Sequence, residues 1–211
     1  MILSPNNIIV IINLIILVLS IILVLIYSHN KFLKLTFVIF DFGLLIWLLS
    51  LLFYYSPAFE DVLLIIGRIN FTGLLIASIG YYFFIRFFIK SKSEFSWNIA
   101  DIFLSVISSA FIPITLFTTF VAENEIVLAN NSRGTLYGQG YIIYLAIIFV
   151  NLIAGLLTAI KNYKKSSEQL QKQIKLFLAG ILISMFFGAI TNIIFPLMGI
   201  FDLHPYRSLA L

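Results

Sequence analysis

The sequence predicts an all-α fold: a polytopic transmembrane helical bundle with six complete spans and the start of a seventh. Three observations predict it. Charged residues make up 10 % of the chain and hydrophobic ones 62 %, whereas soluble domains carry roughly 25 % charged residues. Apolar runs near 20 residues recur, the length a helix needs to cross a hydrocarbon core of about 30 Å. The Lys and Arg residues fall in tight clusters between those runs, on alternate sides. Backbone groups in lipid must be satisfied internally, so the spans are helices. The runs are apolar on every face, unlike the alternating strands of a transmembrane barrel.

The first apolar run, 8–27, lies in a segment (1–30) without Asp, Glu, Lys or Arg. It therefore lacks the basic start of a cleavable signal peptide and is too long for one, which leaves an uncleaved anchor. Further spans are predicted at 36–55, 62–89, 98–121, 141–160 and 174–195, with a stub of a seventh from 206. Lys31, Lys34, Arg86, Lys90, Lys92, Lys161, Lys164, Lys165, Lys172 and Lys175 fall on one side. Only Arg133 and Arg207 fall on the other, beside Glu60, Asp61, Glu123, Glu125 and Asp202. Lys and Arg near span ends mark the cytoplasmic side, so the N-terminus is expected outside, in a multi-pass plasma-membrane protein. The formal charge of +4 is accordingly assigned to membrane anchoring and not to nucleic acid.

The longest outer segment, 122–140, is rich in Asn and Gly and is expected to be an irregular loop, a candidate lid. Within it Asn130-Asn131-Ser132 matches a glycosylation sequon. The inner segment 161–175 is basic and Gln-rich and is expected to extend the adjoining helices. No soluble domain and no internal repeat is visible.

Ionisable groups inside spans are costly, roughly 2.5–3.5 kcal/mol at mid-helix, so each needs a reason. Arg68 lies about two turns into span three, with Asn70, Thr72 and Ser78 following. Arg68 is either an anion or carboxylate clamp in an outer cavity, or a structural residue bonded to carbonyls and Asn side chains, or one snorkelling to Glu60 or Asp61. Gly180, Ser184, Gly188 and Asn192 recur every fourth residue in span six, a helix-packing stripe, with Thr191 and Asn192 at its outer end. Gly73, Ala77 and Gly80 repeat the device in span three. Asn13 and Asn151 are expected to face the interior. Asp41, at a depth of roughly 9 Å from Leu35 by helix rise, is expected to have a buried partner. Asp101 is expected to snorkel, although Arg86 and Lys90 on the same side also permit an ion pair. Pro113 is expected to kink span four.

The chain has no cysteine, which excludes disulfides and thiolate chemistry. His29 and His204 sit at opposite membrane faces and cannot together hold a haem. No mid-span Lys offers a Schiff-base site, and no catalytic, metal or cofactor motif is present. The chain is read as a non-enzyme without a cofactor.

The segment YGQGYIIYLAIIFVNLIAGLLTAIKNYKKSSEQLQKQIKLFLAGILISMFFGAITNIIFPLMG (137–199) resembles the N-terminal seven-helix region of bacterial and archaeal sensor histidine kinases. The likeness lies in the Gly-Tyr approach to span five, the basic Gln-containing inner loop, and the G-x-x-x-S-x-x-x-G run into Thr191-Asn192 and Pro196. Span three (67–88), with Arg68 and Arg86 at its two ends, is similar too. The resemblance implies an input module whose seventh helix feeds a cytoplasmic signalling domain, commonly a kinase and sometimes a cyclic-dinucleotide synthase. This sequence departs from it in beginning the seventh helix only at 206–211 with no effector after it, so kinase activity does not carry over and the chain is expected to be a fragment or a stand-alone remnant.

The expected function is therefore a membrane-embedded sensory domain, sensing through Arg68, Asn70, Thr191 and Asn192 and relaying to an absent cytoplasmic effector. Its expected partners are the bilayer, that effector and, as an open alternative, a second copy of itself. The other readings are a small transporter or transporter subunit using Asp41 and Arg68 along a path, and a membrane fragment without independent activity.

Overall fold

A computed structural model describes residues 5–54, 56–89, 97–127, 133–164 and 166–189. Among these the chain is mostly helical: α1 (Pro5–Tyr27), α2 (Lys31–Tyr54), a 3-10 turn (Pro57–Val62), α3 (Leu63–Ile89), α4 (Ile99–Phe117), β1 (Ala122–Val127), β2 (Arg133–Tyr137), α5 (Tyr141–Tyr163) and α6 (Glu168–Ala189). Helices α1 to α5 are long and apolar enough to cross a membrane. The expected sixth span corresponds to α6, which begins six residues before 174 and is not among those five. The stub from 206 lies outside the described residues.

Local chemistry sets the helix ends. Asn30 accepts from the backbone N–H groups of Phe32 and Leu33 at 3.0 and 3.3 Å, which starts α2 five residues before the expected 36. An amide side chain at that position satisfies donors that have no partner within the helix. Lys34 reaches back to donate to the carbonyl of Leu25 at 2.5 Å, so the last turn of α1 gains a cation. Helix α4 begins with a reciprocal capping box between Asn98 and Asp101. It ends at Phe117, one turn after Pro113. That is four residues short of 121, because Val121 and Ala122 are buried at the start of a strand.

The segment 122–140 is not the irregular loop expected. Strands β1 and β2 pair antiparallel, with Glu125 opposite Thr135 and Val127 opposite Arg133, and the register shifts between Ala122 and Asn124. The extra residue in β1, Glu123, makes a bulge, which turns a strand and ends regular pairing. The hairpin closes onto the preceding turn: Gly138 donates to Val121 O at 2.9 Å and Gly140 to Phe120 O at 2.7 Å. A Cβ at Gly138 would strike the carbonyls of Thr119 and Phe120, so this return needs glycine. The sequon at 130–132 lies outside the described residues.

Helix α3 is the hub. It packs against α2, α4, α5 and β1, while α1 packs on α2 and α6 on α5. The α2–α3 contact is a backbone contact. A Cβ at Gly73 would lie 2.8 Å from Trp47 N and 2.9 Å from Gly43 O, and one at Gly80 would lie 2.7 Å from Phe40 Cα. Gly43 in α2 meets Ala77 and Gly73 in the same way. Small residues at such a seam let two helices approach closely enough for van der Waals packing to hold them. Trp47, Leu48, Leu44 and Leu51 fill in around it with Val10 of α1. Gly180, by contrast, faces open space among the described residues, so it is no packing contact within them. Ser184 and Gly188 fall in α6, but their surroundings lie outside what is described.

Polarity runs inside out. Large apolar side chains point outward, among them Ile26, Ile99, Phe103, Phe117, Ile142 and Leu176. Asp41, Ser50, Thr72, Ser78, Arg86, Asp101, Ser108, Thr115 and Asn151 are buried. That distribution suits a hydrocarbon surround, in which intramembrane polar groups turn towards the bundle interior.

The closeness of the α2–α3 seam gives a direct expectation. Gly43→Leu should lower unfolding stability in detergent by about 1–3 kcal/mol through overpacking, whereas Gly180→Leu should stay within about 0.5 kcal/mol. Equal effects in denaturant titrations of the two variants would refute the packing assigned here.

Candidate functional site: two polar clusters joined by one helix

Helix α3 runs between two polar clusters. At the hairpin end, the hairpin is fastened by side chains and not by apolar area alone. The Tyr54 hydroxyl donates to Glu125 Oε2 at 2.6 Å, and Thr135 donates to the same carboxylate at 2.9 Å. That carboxylate rests on Gly67, where a Cβ would collide with it. Arg133, 6 % exposed, donates to the Tyr54 carbonyl and to Glu60 Oε1 at 3.3 Å, and lies over the Tyr54 ring. Bonds to charged groups contribute about 1.5–3 kcal/mol each; with Glu60 57 % exposed, the fastening rests mainly on the half-buried Glu125 and on the Tyr54 carbonyl.

Arg68 lies beside that clamp without belonging to it. Its Nη2 donates to Ala122 O at 3.5 Å, and its Nε is buried without a partner. It does not snorkel to Glu60, which is engaged by Arg133. Thr72, expected on the same face, instead donates to the backbone carbonyl of Arg68 at 2.8 Å. Asn70 turns away to α2, donating to Trp47 O at 3.1 Å and Ser50 Oγ at 2.8 Å. Arg68 and Asn70 are thus not brought together. Thr191 and Asn192 lie outside the described residues.

At the opposite, basic end, Asp101 gathers three donors: Arg86 Nη2 at 2.6 Å, Tyr82 Oη at 2.5 Å and the backbone N–H of Asn98 at 2.9 Å. Asp101 is fully buried and Arg86 is 6 % exposed. The expected snorkelling of Asp101 is therefore overturned. One carboxylate both caps α4 and docks it on α3. A buried guanidinium and carboxylate hold each other because either alone would be an uncompensated charge.

Between the two clusters runs a polar seam. Asn151 of α5 donates to Ser78 of α3 at 3.1 Å and to Ser108 of α4 at 3.0 Å. It joins three helices through one amide. The buried face of α4 is made of Asp101, Leu104, Ser108 and Thr115, so polar groups dominate it. Tyr144 closes the hairpin end of this seam by donating to Phe71 O at 2.9 Å.

Asp41 stands apart, at the α1–α2 interface. It is 2 % exposed and accepts from Ser20 Oγ at 2.5 Å. The path through Asp41 and Arg68 that a transporter was expected to use is therefore split between two interfaces. Among the described residues no group of His, Cys, Asp and Glu could hold a metal ion.

No family model, curated protein or solved structure matches the chain. The clamp residues Tyr54, Glu125, Arg133 and Thr135 were not among the sequence-predicted site residues. Their signal was the pair of short β-branched and aromatic runs flanking 128–132, which reads as a hairpin once the two are considered together.

The latch at the basic end yields a double-variant test. Asp101→Ala should cost about 3–5 kcal/mol by stranding Arg86, and adding Arg86→Met should recover at least about 1 kcal/mol of it, the remainder reflecting the lost cap and the Tyr82 hydroxyl left without its acceptor. Denaturant unfolding of the single and double variants measures this. Losses that simply add would show that the two side chains are not coupled.

Proposed function

We propose that the chain is the membrane-embedded input domain of a signal-transduction protein, detecting a stimulus at the hairpin end and relaying it to a cytoplasmic effector. In this reading its N-terminus lies outside the plasma membrane, the hairpin faces out, and the basic end faces the cytoplasm. The supporting observation is that a single continuous helix, α3, reaches both polar clusters: near its start Gly67 supports the Glu125 carboxylate of the clamp and Arg68 donates to Ala122 O of the hairpin, and near its end lies the Arg86–Asp101 latch. A shift of α3 imposed at the hairpin end is felt at α4 because Asp101 has no other anchor of comparable strength among the described residues. Buried polar contacts of this kind exchange between discrete arrangements more readily than they deform. The likeness of 67–88 and 137–199 to the N-terminal region of sensor histidine kinases is in keeping with this reading. Neither the observed separation of Asp41 from Arg68 nor the closed glycine seam between α2 and α3 favours transport.

Two experiments bear on the proposal, and both exploit a chain free of cysteine. For orientation, a membrane-impermeant maleimide applied to intact cells should label Glu123→Cys and spare His29→Cys until the membrane is permeabilised. The reverse pattern would invert the topology. For relay, spin labels at Ile99→Cys and Lys161→Cys report the basic end, and Glu125→Gln loosens the clamp at the other end. Their distance should change by about 1–2 Å, the scale of interface helix shifts. An unchanged distance distribution would remove the relay.

A further inference from the structure

We infer that Arg68 is the receptor for a monoanionic oxyanion, either a carboxylate or a phosphodiester, held beneath β1 at the hairpin end. As the ligand of a sensor this rests on the function proposed above, while the binding itself does not.

A guanidinium offers five N–H donors in one plane. Among the described residues Arg68 uses one of them, at 3.5 Å, the outer limit of a hydrogen bond. Its Nε is buried and unpartnered. The contrast with the other arginines of the described helices and strands is one of charge: Arg86 meets the Asp101 carboxylate at 2.6 Å, and Arg133 meets Glu60 as well as the Tyr54 carbonyl. The nearby carboxylates are committed elsewhere, Glu125 to Tyr54 and Thr135, and Glu60 to Arg133. Thr72 turns its hydroxyl to the Arg68 backbone and offers the side chain nothing.

Arg68 thus sits half-buried with its charge unmet by any described carboxylate. An ionised group in that setting is retained when something of opposite charge offsets it. Carboxylate and phosphate present paired oxygens at the spacing of a guanidinium edge, which makes them its natural partners. The Glu125 carboxylate lies against Gly67, one residue away, and its negative charge disfavours a polyanion. A single negative charge is what the site accommodates. Two sources supply that chemistry, a free carboxylate solute and the phosphodiester of a lipid headgroup.

The test uses the whole chain in a phosphate-free maltoside detergent, titrated with sodium acetate or sodium dimethyl phosphate at constant ionic strength made up with chloride. The expected result is a saturable rise in thermal midpoint, about 5 °C at roughly 100-fold above Kd. A larger response to acetate identifies a carboxylate solute, and a larger one to dimethyl phosphate identifies a lipid phosphodiester. Arg68→Gln should abolish the response and Arg68→Lys should weaken it, since a point charge replaces a fork. Because Arg68→Gln risks misfolding, the unmodified chain carries a second readout. It has four arginines, and the Arg68 Nε–H resonance, assigned by its loss in Arg68→Lys, should shift on titration while the others stay still. No saturable rise with either anion, an equal response in well-folded Arg68→Gln, or a stationary Arg68 resonance would overturn the site. Binding without movement of the Ile99 and Lys161 labels would uphold the site and count against the sensor.

Discussion

The structure depends on the absence of side chains between α2 and α3. Gly43, Gly73 and Gly80 bring two helix backbones into contact, with Ala77 completing the seam. In lipid there is no hydrophobic gain from joining one apolar helix to another, so association rests on close packing and interhelical hydrogen bonds. The seam supplies the first, and Asn70, bonded to Trp47 O and Ser50, supplies the second. The result is a two-helix unit with fixed register. Because α3 also packs against α4, α5 and β1, its placement on α2 positions the hairpin, the seam and the latch together.

The interfaces on the remaining faces of α3 are of a different kind. Towards α4 and α5 they are made by Tyr82 and Arg86 meeting Asp101 of α4, and by Ser78 meeting Asn151 of α5, which also bonds Ser108 of α4. Such contacts are directional and costly to leave half made, so they specify one arrangement over its near neighbours. They also differ from the glycine seam in what displaces them: a hydrogen bond can be exchanged for another, whereas backbone contact cannot be loosened without losing packing along the whole seam. The bundle thus combines one rigid pair with a helix, α4, held by exchangeable bonds. The apolar clusters follow the same division, with Tyr81, Phe84 and Phe177 ordering the basic end and Leu75, Tyr144 and Ile147 the hairpin end.

Much of the helix layout was legible because length and hydropathy are local properties. The start of α3 and the start of α5 fall within a residue of expectation. The stripe Gly73, Ala77, Gly80 was visible as a pattern, but its partner Gly43 was not, since an isolated glycine in an apolar run has no period to betray it. Asp101 was misjudged for a related reason. An acidic residue in the first turn of a helix ordinarily caps it at the surface, and only the position of α3 reveals that Tyr82 and Arg86 enclose it. The hairpin was obscured by the Asn- and Gly-rich composition of 122–140, where short strands and loops look alike. Arg68 was conspicuous as a charge in a span, yet its separation from Asn70 arises from two residues of helix rotation that place them on nearly opposite faces.

The short link between α1 and α2 has a consequence for biogenesis. Three residues, 28–30, separate the two helices, and Lys34 and Asn30 tie the turn together. Asp41 and its donor Ser20 lie on opposite arms of this single helical hairpin. If the arms enter the bilayer paired, the carboxyl enters already hydrogen-bonded, without waiting for α3 to be synthesised. The buried carboxyl of α2 is then accommodated by its own neighbour in translation, before the rest of the bundle exists.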